Sequence, residues 1–169
     1  AIILCVAIWH GLQGEVGASL YNMTLAGAML GFLCWNWSPA TIFLGDVGSY
    51  FIGASFAFVL LTAEQQALIP LVILLMPLGT DAILTLTRRV IAREKFWTPH
   101  REHVYQRLVL RGLSHARLSS ALLILLALVF LPMSVAALIY VRYAVQLLLI
   151  SIIISLVIWI FLYRCTISR

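Results

Sequence analysis

The sequence predicts an all-α, polytopic transmembrane helix bundle of about five to six spans, with an amphipathic helix or loop on its cytoplasmic side. Three observations point there. Hydrophobic residues make up 63% of the chain and charged residues only 10%, with a mean hydropathy of +1.07. Such a composition lies outside the range of soluble globular domains. The stretch from Gln66 to Asp81 has no ionised group between its ends, and Ala144 to Tyr163 has none at all, which suits a helix of roughly 20 residues crossing hydrocarbon. Finally, eight of the eleven basic residues fall between Arg88 and Arg117. That is the concentration expected of a cytoplasmic loop, and it accounts for the net charge of +5 without a nucleic-acid partner.

Apolar runs broken by polar and turn-forming residues give the elements in order, as segments 1–12, 19–36, 47–63, 67–88, 117–137 and 143–163. The whole chain, 1–169, reads as one transmembrane domain, with 89–116 as a basic loop within it. With that loop inside, alternation places 14–18 and 64–66 outside and 37–46 inside; Arg164 and Arg169 then also fall inside. The chain opens on Ala1 and an apolar run to Trp9 with no charged region before it. It does not read as a signal peptide, and we expect a C-terminal portion of a larger protein.

The basic loop carries its own signals. Thr98 and Pro99 are placed to cap and begin a short helix, Gly112 to end it, and Ser114 to cap the next span. Tyr105, Leu108 and Val109 would share one face, and His103, Arg107 and Arg111 another. Cys5, Cys34 and Cys165 are far apart and apolar or terminal in setting, which argues against a disulfide framework or a zinc site. Trp9, Trp35, Trp37 and Trp159 fit interfacial anchors, and His10 a local hydrogen bond.

Three groups of residues could carry chemistry. Asp46, Gly48 and Ser49 stand where a loop meets a span; Asp46 either caps the helix or holds a hard cation such as Mg²⁺ against phosphate oxygens. Asp81 precedes Arg88 by seven residues, roughly 10 Å along the axis. It is either a functional ionisable site or the partner of a neighbouring helix, and Pro77 and Gly79 before it hint at an irregular helix. His100, Arg101, Glu102 and His103, followed by Arg107 and Arg111, either set topology and touch anionic lipid or converge on a polyanion. No P-loop, nucleophile elbow or Rossmann fingerprint occurs.

Together, three ordered stretches resemble one family of membrane enzymes. They are Gly31-Phe32-Leu33 with Asn36 and the run Ser38 to Ser49, then Pro77 to Asp81 with Arg88-Arg89, then His100 to Leu108 with Gly112 to His115. The family is that of the polyprenyl-phosphate N-acetylhexosamine-1-phosphate transferases, glycosyltransferase family 4, related to phospho-N-acetylmuramoyl-pentapeptide transferase. The chain looks closest to the bacterial branch that initiates O-antigen and related surface glycans. The resemblance implies transfer of N-acetylhexosamine-1-phosphate from a UDP-sugar to undecaprenyl or another polyprenyl phosphate, with release of UMP, at the cytoplasmic face of the bacterial inner membrane.

It further implies Mg²⁺ as cofactor with Asp46 as metal ligand, and Asp46, His100 and His103 as catalytic residues. Asn36, Gly48, Ser49, Arg101 and Arg107 are the implied substrate-binding residues, and a homodimer is left open. Asp46 is expected to meet the His100 and His103 turn over one magnesium-bound diphosphate. Two departures stand out. The family's adjacent aspartate pair and its asparagine and aspartate-glycine motif do not occur, since Asp46 and Asp81 are the only aspartates. The histidine loop lacks three consecutive histidines, which argues against the peptidoglycan branch. The competing reading is a non-enzymatic membrane module or transporter half with Asp81 as its ion or proton site.

Overall fold

The computed structural model describes residues 2–63, 65–95, 98 and 102–167. Among them every regular element is helical, in two compact units, Ala1–Thr62 and Ala63–Arg169.

The first unit holds α1 (Ile2–Leu12), α2 (Val16–Asn36) and α3 (Gly45–Thr62). Gly14 takes φ +80° after α1, and the Gly14 and Glu15 amides return to the carbonyls of Gly11 and His10. This is a Schellman closure, which needs a left-handed residue at that point. It turns the chain so that α1 and α2 run antiparallel: Ser19 donates to the Ala7 carbonyl at 2.8 Å, while Ile3 clusters with Leu25 and Ala26. A Cβ on Gly11 would sit 3.1 Å from Ser19 Oγ, so small residues let the backbones approach. Phe56 of α3 packs on the Ile3 cluster, and Phe58 meets the Tyr21 ring edge-on at 6.0 Å.

The second unit is built around α4 (Gln65–Ile91). Then follow the short α5 (Val104–Leu110), α6 (His115–Leu125), a π-helical turn (Leu126–Phe130), α7 (Leu131–Ile139), a 3-10 turn (Val141–Tyr143) and α8 (Ala144–Ile167). Pro70 and Pro77 lie inside α4. Each lacks an amide and disturbs the turn before it, which a span tolerates where it packs against neighbouring helices. Ser134 donates to the Pro70 carbonyl at 2.9 Å, and the Ser155 hydroxyl meets the Met76 carbonyl at 3.1 Å and the Thr80 hydroxyl at 2.8 Å. These contacts tie α7 and α8 to α4. The π turn ends two residues before Pro132, whose missing amide breaks the regular ladder.

Among the described residues five helices are long and apolar enough to cross a membrane: Val16–Asn36, Gly45–Thr62, Gln65–Ile91, His115–Ile139 and Val141–Ile167. Large side chains such as Val47, Leu61, Val157 and Phe161 point outward with 60–86% exposure. Apolar surface of that extent suits lipid as the surrounding solvent. The protein is an all-α, multi-pass membrane bundle, as its composition predicts.

The basic loop departs from expectation. Its helix starts at Val104 rather than after Thr98, whose hydroxyl turns back to the Lys95 carbonyl at 2.7 Å. Gly112, at φ +94°, ends the helix as expected, and Ser114 caps α6 by accepting from the Arg117 amide at 3.4 Å.

Candidate functional site

In the first unit the loop between α2 and α3 delivers Asp46. Asn36 donates to the Ile42 carbonyl at 2.9 Å, and the Thr41 amide and hydroxyl both reach the Trp35 carbonyl at 3.0 and 3.1 Å. Gly45 then takes φ +65°, a conformation that favours glycine, and α3 begins. Asp46 sits in the first turn, exposed, where a carboxylate complements the amide end of the helix. Among the described residues it has no hydrogen-bond or ion-pair partner. Ser49 donates to the Gly45 carbonyl at 2.8 Å. The space beside Gly48 is taken by Leu44, whose Cδ1 would lie 2.6 Å from an added Cβ. The glycine therefore serves a close contact within the chain itself.

In the second unit Asp81, 13% exposed, lies on α4 facing the start of α5. Its Oδ1 accepts from the Val104 amide at 3.0 Å, from Trp159 Nε1 at 2.9 Å and from the Thr85 hydroxyl at 3.4 Å. Its Oδ2 lies 3.4 Å from Nδ1 of His103. Asp81 is thus the partner of neighbouring elements, which was one of its two sequence readings. Trp159, expected as an interfacial anchor, donates its indole inward to Asp81, and its ring stacks on Tyr163 at 4.7 Å.

One turn away Glu102 forms ion pairs with Arg88 and with Arg89, the latter at 2.6 Å. Arg89 is only 5% exposed and also reaches Glu94 Oε2 at 3.2 Å and the Lys95 carbonyl at 2.9 Å. Burial of a guanidinium at that depth requires such partners. Arg107 donates from Nε to the Glu102 carbonyl at 3.1 Å and lies over the Tyr163 ring at 5.3 Å, while Arg111 donates to the Cys165 carbonyl at 2.8 Å. The cationic stripe is therefore partly spent on fastening α5 to α8. Burial first, and then the charge of Asp81, push the Tyr105 phenol above its ordinary range. Behind these groups an apolar cavity of about 60 Å³ is lined by Leu118, Leu122, Leu125, Phe130, Ile158 and Leu162.

Of the sequence-predicted residues, His100 and Arg101 lie outside the described residues. Asn36, Asp46, Gly48 and Ser49 gather in the first unit, and His103 and Arg107 in the second. Sequence reasoning missed Glu102 as the partner of Arg88 and Arg89. Its signal was an acid flanked directly by basic residues, Arg101 and His103. Among the described residues no group of three His, Cys, Asp or Glu side chains forms a metal-binding cluster. Asp46 fits Mg²⁺ as a single protein ligand, since this ion commonly takes one or two carboxylates and fills its other positions with water and phosphate oxygens.

Residues 1–64 match the family model described as glycosyl transferase family 4. A probable undecaprenyl-phosphate N-acetylglucosaminyl 1-phosphate transferase of Bacillus subtilis (strain 168) is 30% identical over 131 residues, covering 74% of this chain and 36% of that protein. The phospho-N-acetylmuramoyl-pentapeptide-transferase of Streptococcus pyogenes serotype M5 (strain Manfredo) is 34% identical over 73 residues, 43% of this chain and 22% of that one. The Moorella thermoacetica enzyme of the same name is 37% identical over 75 residues, 41% and 23%. The chain spans about a third or less of the length of these curated relatives. No solved structure matches it. By residues 1–64 the chain resembles glycosyl transferase family 4, and the proteins it aligns with are named as undecaprenyl-phosphate N-acetylglucosaminyl 1-phosphate and phospho-N-acetylmuramoyl-pentapeptide transferases.

Proposed function

We propose that this chain serves the transfer of N-acetylhexosamine-1-phosphate from a UDP-sugar to undecaprenyl or a related polyprenyl phosphate, at the cytoplasmic face of a bacterial inner membrane. An oxygen of the lipid phosphate attacks the β-phosphorus of the donor. The bond from that phosphorus to the bridging oxygen breaks, UMP leaves, and polyprenyl-diphosphate-sugar remains. The observation that carries this reading is the Gly45 to Ser49 turn, where an exposed, unpartnered carboxylate opens a membrane helix in a family of phosphosugar transferases.

Each residue then has a role set by charge. Asp46 holds Mg²⁺, which when bound neutralises the donor diphosphate. Asn36 shapes the loop, and Gly48 and Ser49 keep the first turn of α3 compact beside the phosphates. His100, His103, Arg101 and Arg107 supply positive or proton-bearing groups to the departing nucleotide. Phosphoryl transfer depends mainly on positioning and charge neutralisation, so one carboxylate and a basic turn are the expected tools. The wider span of the N-acetylglucosaminyl relative supports a simple hexosamine donor; the setting we propose is the initiation of O-antigen or a related envelope glycan.

The test uses the full gene product in proteoliposomes containing undecaprenyl phosphate. UMP release should depend on a UDP-N-acetylhexosamine, stop on chelation and resume with Mg²⁺. Asp46→Asn should lower kcat/KM by at least about 100-fold. Unimpaired turnover in that variant, or transfer that ignores chelation, overturns the reading.

A further inference from the structure

His103 occupies the N-cap position of α5, yet its side chain makes no capping hydrogen bond there. That place usually goes to Ser, Thr, Asp or Asn, whose oxygen accepts an amide of the first turn. Here the acceptor is supplied from another helix: Asp81 of α4 takes the Val104 amide at 3.0 Å. The capping duty is thereby lifted from residue 103, and an imidazole can stand where it would otherwise weaken the helix.

The same histidine is restrained from every side. The carbonyl before it, on Glu102, accepts from Arg107 Nε at 3.1 Å, and the amide after it is the one held by Asp81. Its ring stacks on Tyr105 at 5.7 Å with planes 18° apart, and its Nδ1 lies 3.4 Å from Asp81 Oδ2. Ordering a backbone residue opposes its conformational entropy, so a surface loop held this firmly has been fixed against its natural freedom.

We infer that Asp81 is a positioning residue for His103: Oδ1 fastens the turn to the spans, and Oδ2 accepts from the Nδ1–H, which keeps the proton on Nδ1 and leaves Nε2 as the basic nitrogen. The role in catalysis rests on the transferase reading given above; the role in orienting the imidazole does not. The two oxygens are separable by substitution. Val104 and Trp159 both donate to Oδ1, so in Asp81→Asn they hold the amide oxygen at that place and force the amide nitrogen toward His103. A donor then faces Nδ1, and the tautomer must invert.

The experiment is ¹⁵N-histidine NMR on the full-length protein in detergent, with His103→Gln to assign the signal, alongside kinetics. The wild type should show Nδ1 protonated, and Asp81→Asn should move the proton to Nε2. Turnover in Asp81→Asn should fall about 10–100-fold, as for other residues that orient a histidine, with KM for the sugar nucleotide within about threefold. Ser134→Ala, which removes a buried hydrogen bond to Pro70 far from the turn, should lower stability and leave kcat unchanged. The fall caused by Asp81→Asn should vanish in a His103→Gln background. An unprotonated Nδ1 in the wild type overturns the proposal without recourse to any variant. So does an unaltered His103 signal or full turnover in Asp81→Asn. A wild type that orients His103 as stated but transfers no sugar phosphate would defeat the transferase reading alone.

Discussion

Trp159 donates its indole N–H to Asp81 Oδ1 across 2.9 Å, joining the middle of α8 to α4 at a separation of 78 positions in sequence. The same oxygen holds the first amide of α5, so one carboxylate fixes three helices at a common point. Replacing Trp159 with Phe keeps most of the ring and removes the donor. We expect a loss of about 1–2 kcal/mol, the range for a charge-assisted hydrogen bond in a partly buried setting. Thermal or denaturant unfolding in detergent checks it, and a loss below a few tenths would show that the bond is replaceable.

Glu102 answers two guanidiniums, of which Arg89 is nearly buried. Glu102→Gln leaves that charge to Glu94 and the Lys95 carbonyl. Removing one partner of a fully buried pair costs several kcal/mol; with Glu102 27% exposed, about 2 kcal/mol is expected. The double variant Arg89→Met with Glu102→Gln should cost less than the sum of the single changes, because the buried Arg89 charge is removed together with its partner and only the more exposed Arg88 loses Glu102. Limited proteolysis should then find residues 93–103 more open in the single variant than in the double.

Gly48→Ala brings two opposed effects into one turn. Alanine is intrinsically better in a helix by about 1 kcal/mol, but its Cβ would meet Leu44 Cδ1 at 2.6 Å. The substitution should therefore be close to neutral alone and stabilising by about 1 kcal/mol once Leu44→Ala has cleared the space. Equal effects in both backgrounds would show that Leu44 moves aside freely.

Tyr105 should report on Asp81 through pH. Its phenol is raised above about 10 by burial and then by the Asp81 charge. The folded state thus binds the phenolic proton more tightly than the unfolded one. The associated stability is fully present below the unfolded pKa and is lost as pH rises through the folded pKa. The phenolate absorbance difference between wild type and Tyr105→Phe should titrate above the ordinary midpoint, and Asp81→Asn should bring that midpoint down.

The spans were legible because long apolar runs allow little else in lipid, and their bounds erred by a few residues for a physical reason. The apolar run 67–88 predicts an end at Arg88, yet α4 continues to Ile91, because arginines are good helix formers and Arg89 finds its partners without leaving the helix. Thr98 misled because a local cap is worth only about 1 kcal/mol, less than the combined hold of Asp81 and Glu102 on the turn that follows. Asp81 was legible as exceptional by its depth in a span. Its partners Val104 and Trp159 lie 23 and 78 positions away, where no local pattern points to them. Asp46 was legible for the opposite reason: everything that places it, from Asn36 to Ser49, is near in sequence.

The π turn at Leu126–Phe130 alters the phase of the rod that contains it. One surplus residue advances every later side chain by about 100° around the axis. The stretch before the turn can therefore show Leu118, Leu122 and Leu125 to the apolar cavity, while the stretch after it shows Ser134 and Ala137 to the interior against α4. A regular helix of the same length would serve one of these appointments and miss the other. Deleting a single leucine there should swing Ser134 away from the Pro70 carbonyl and put the two halves of the span out of step.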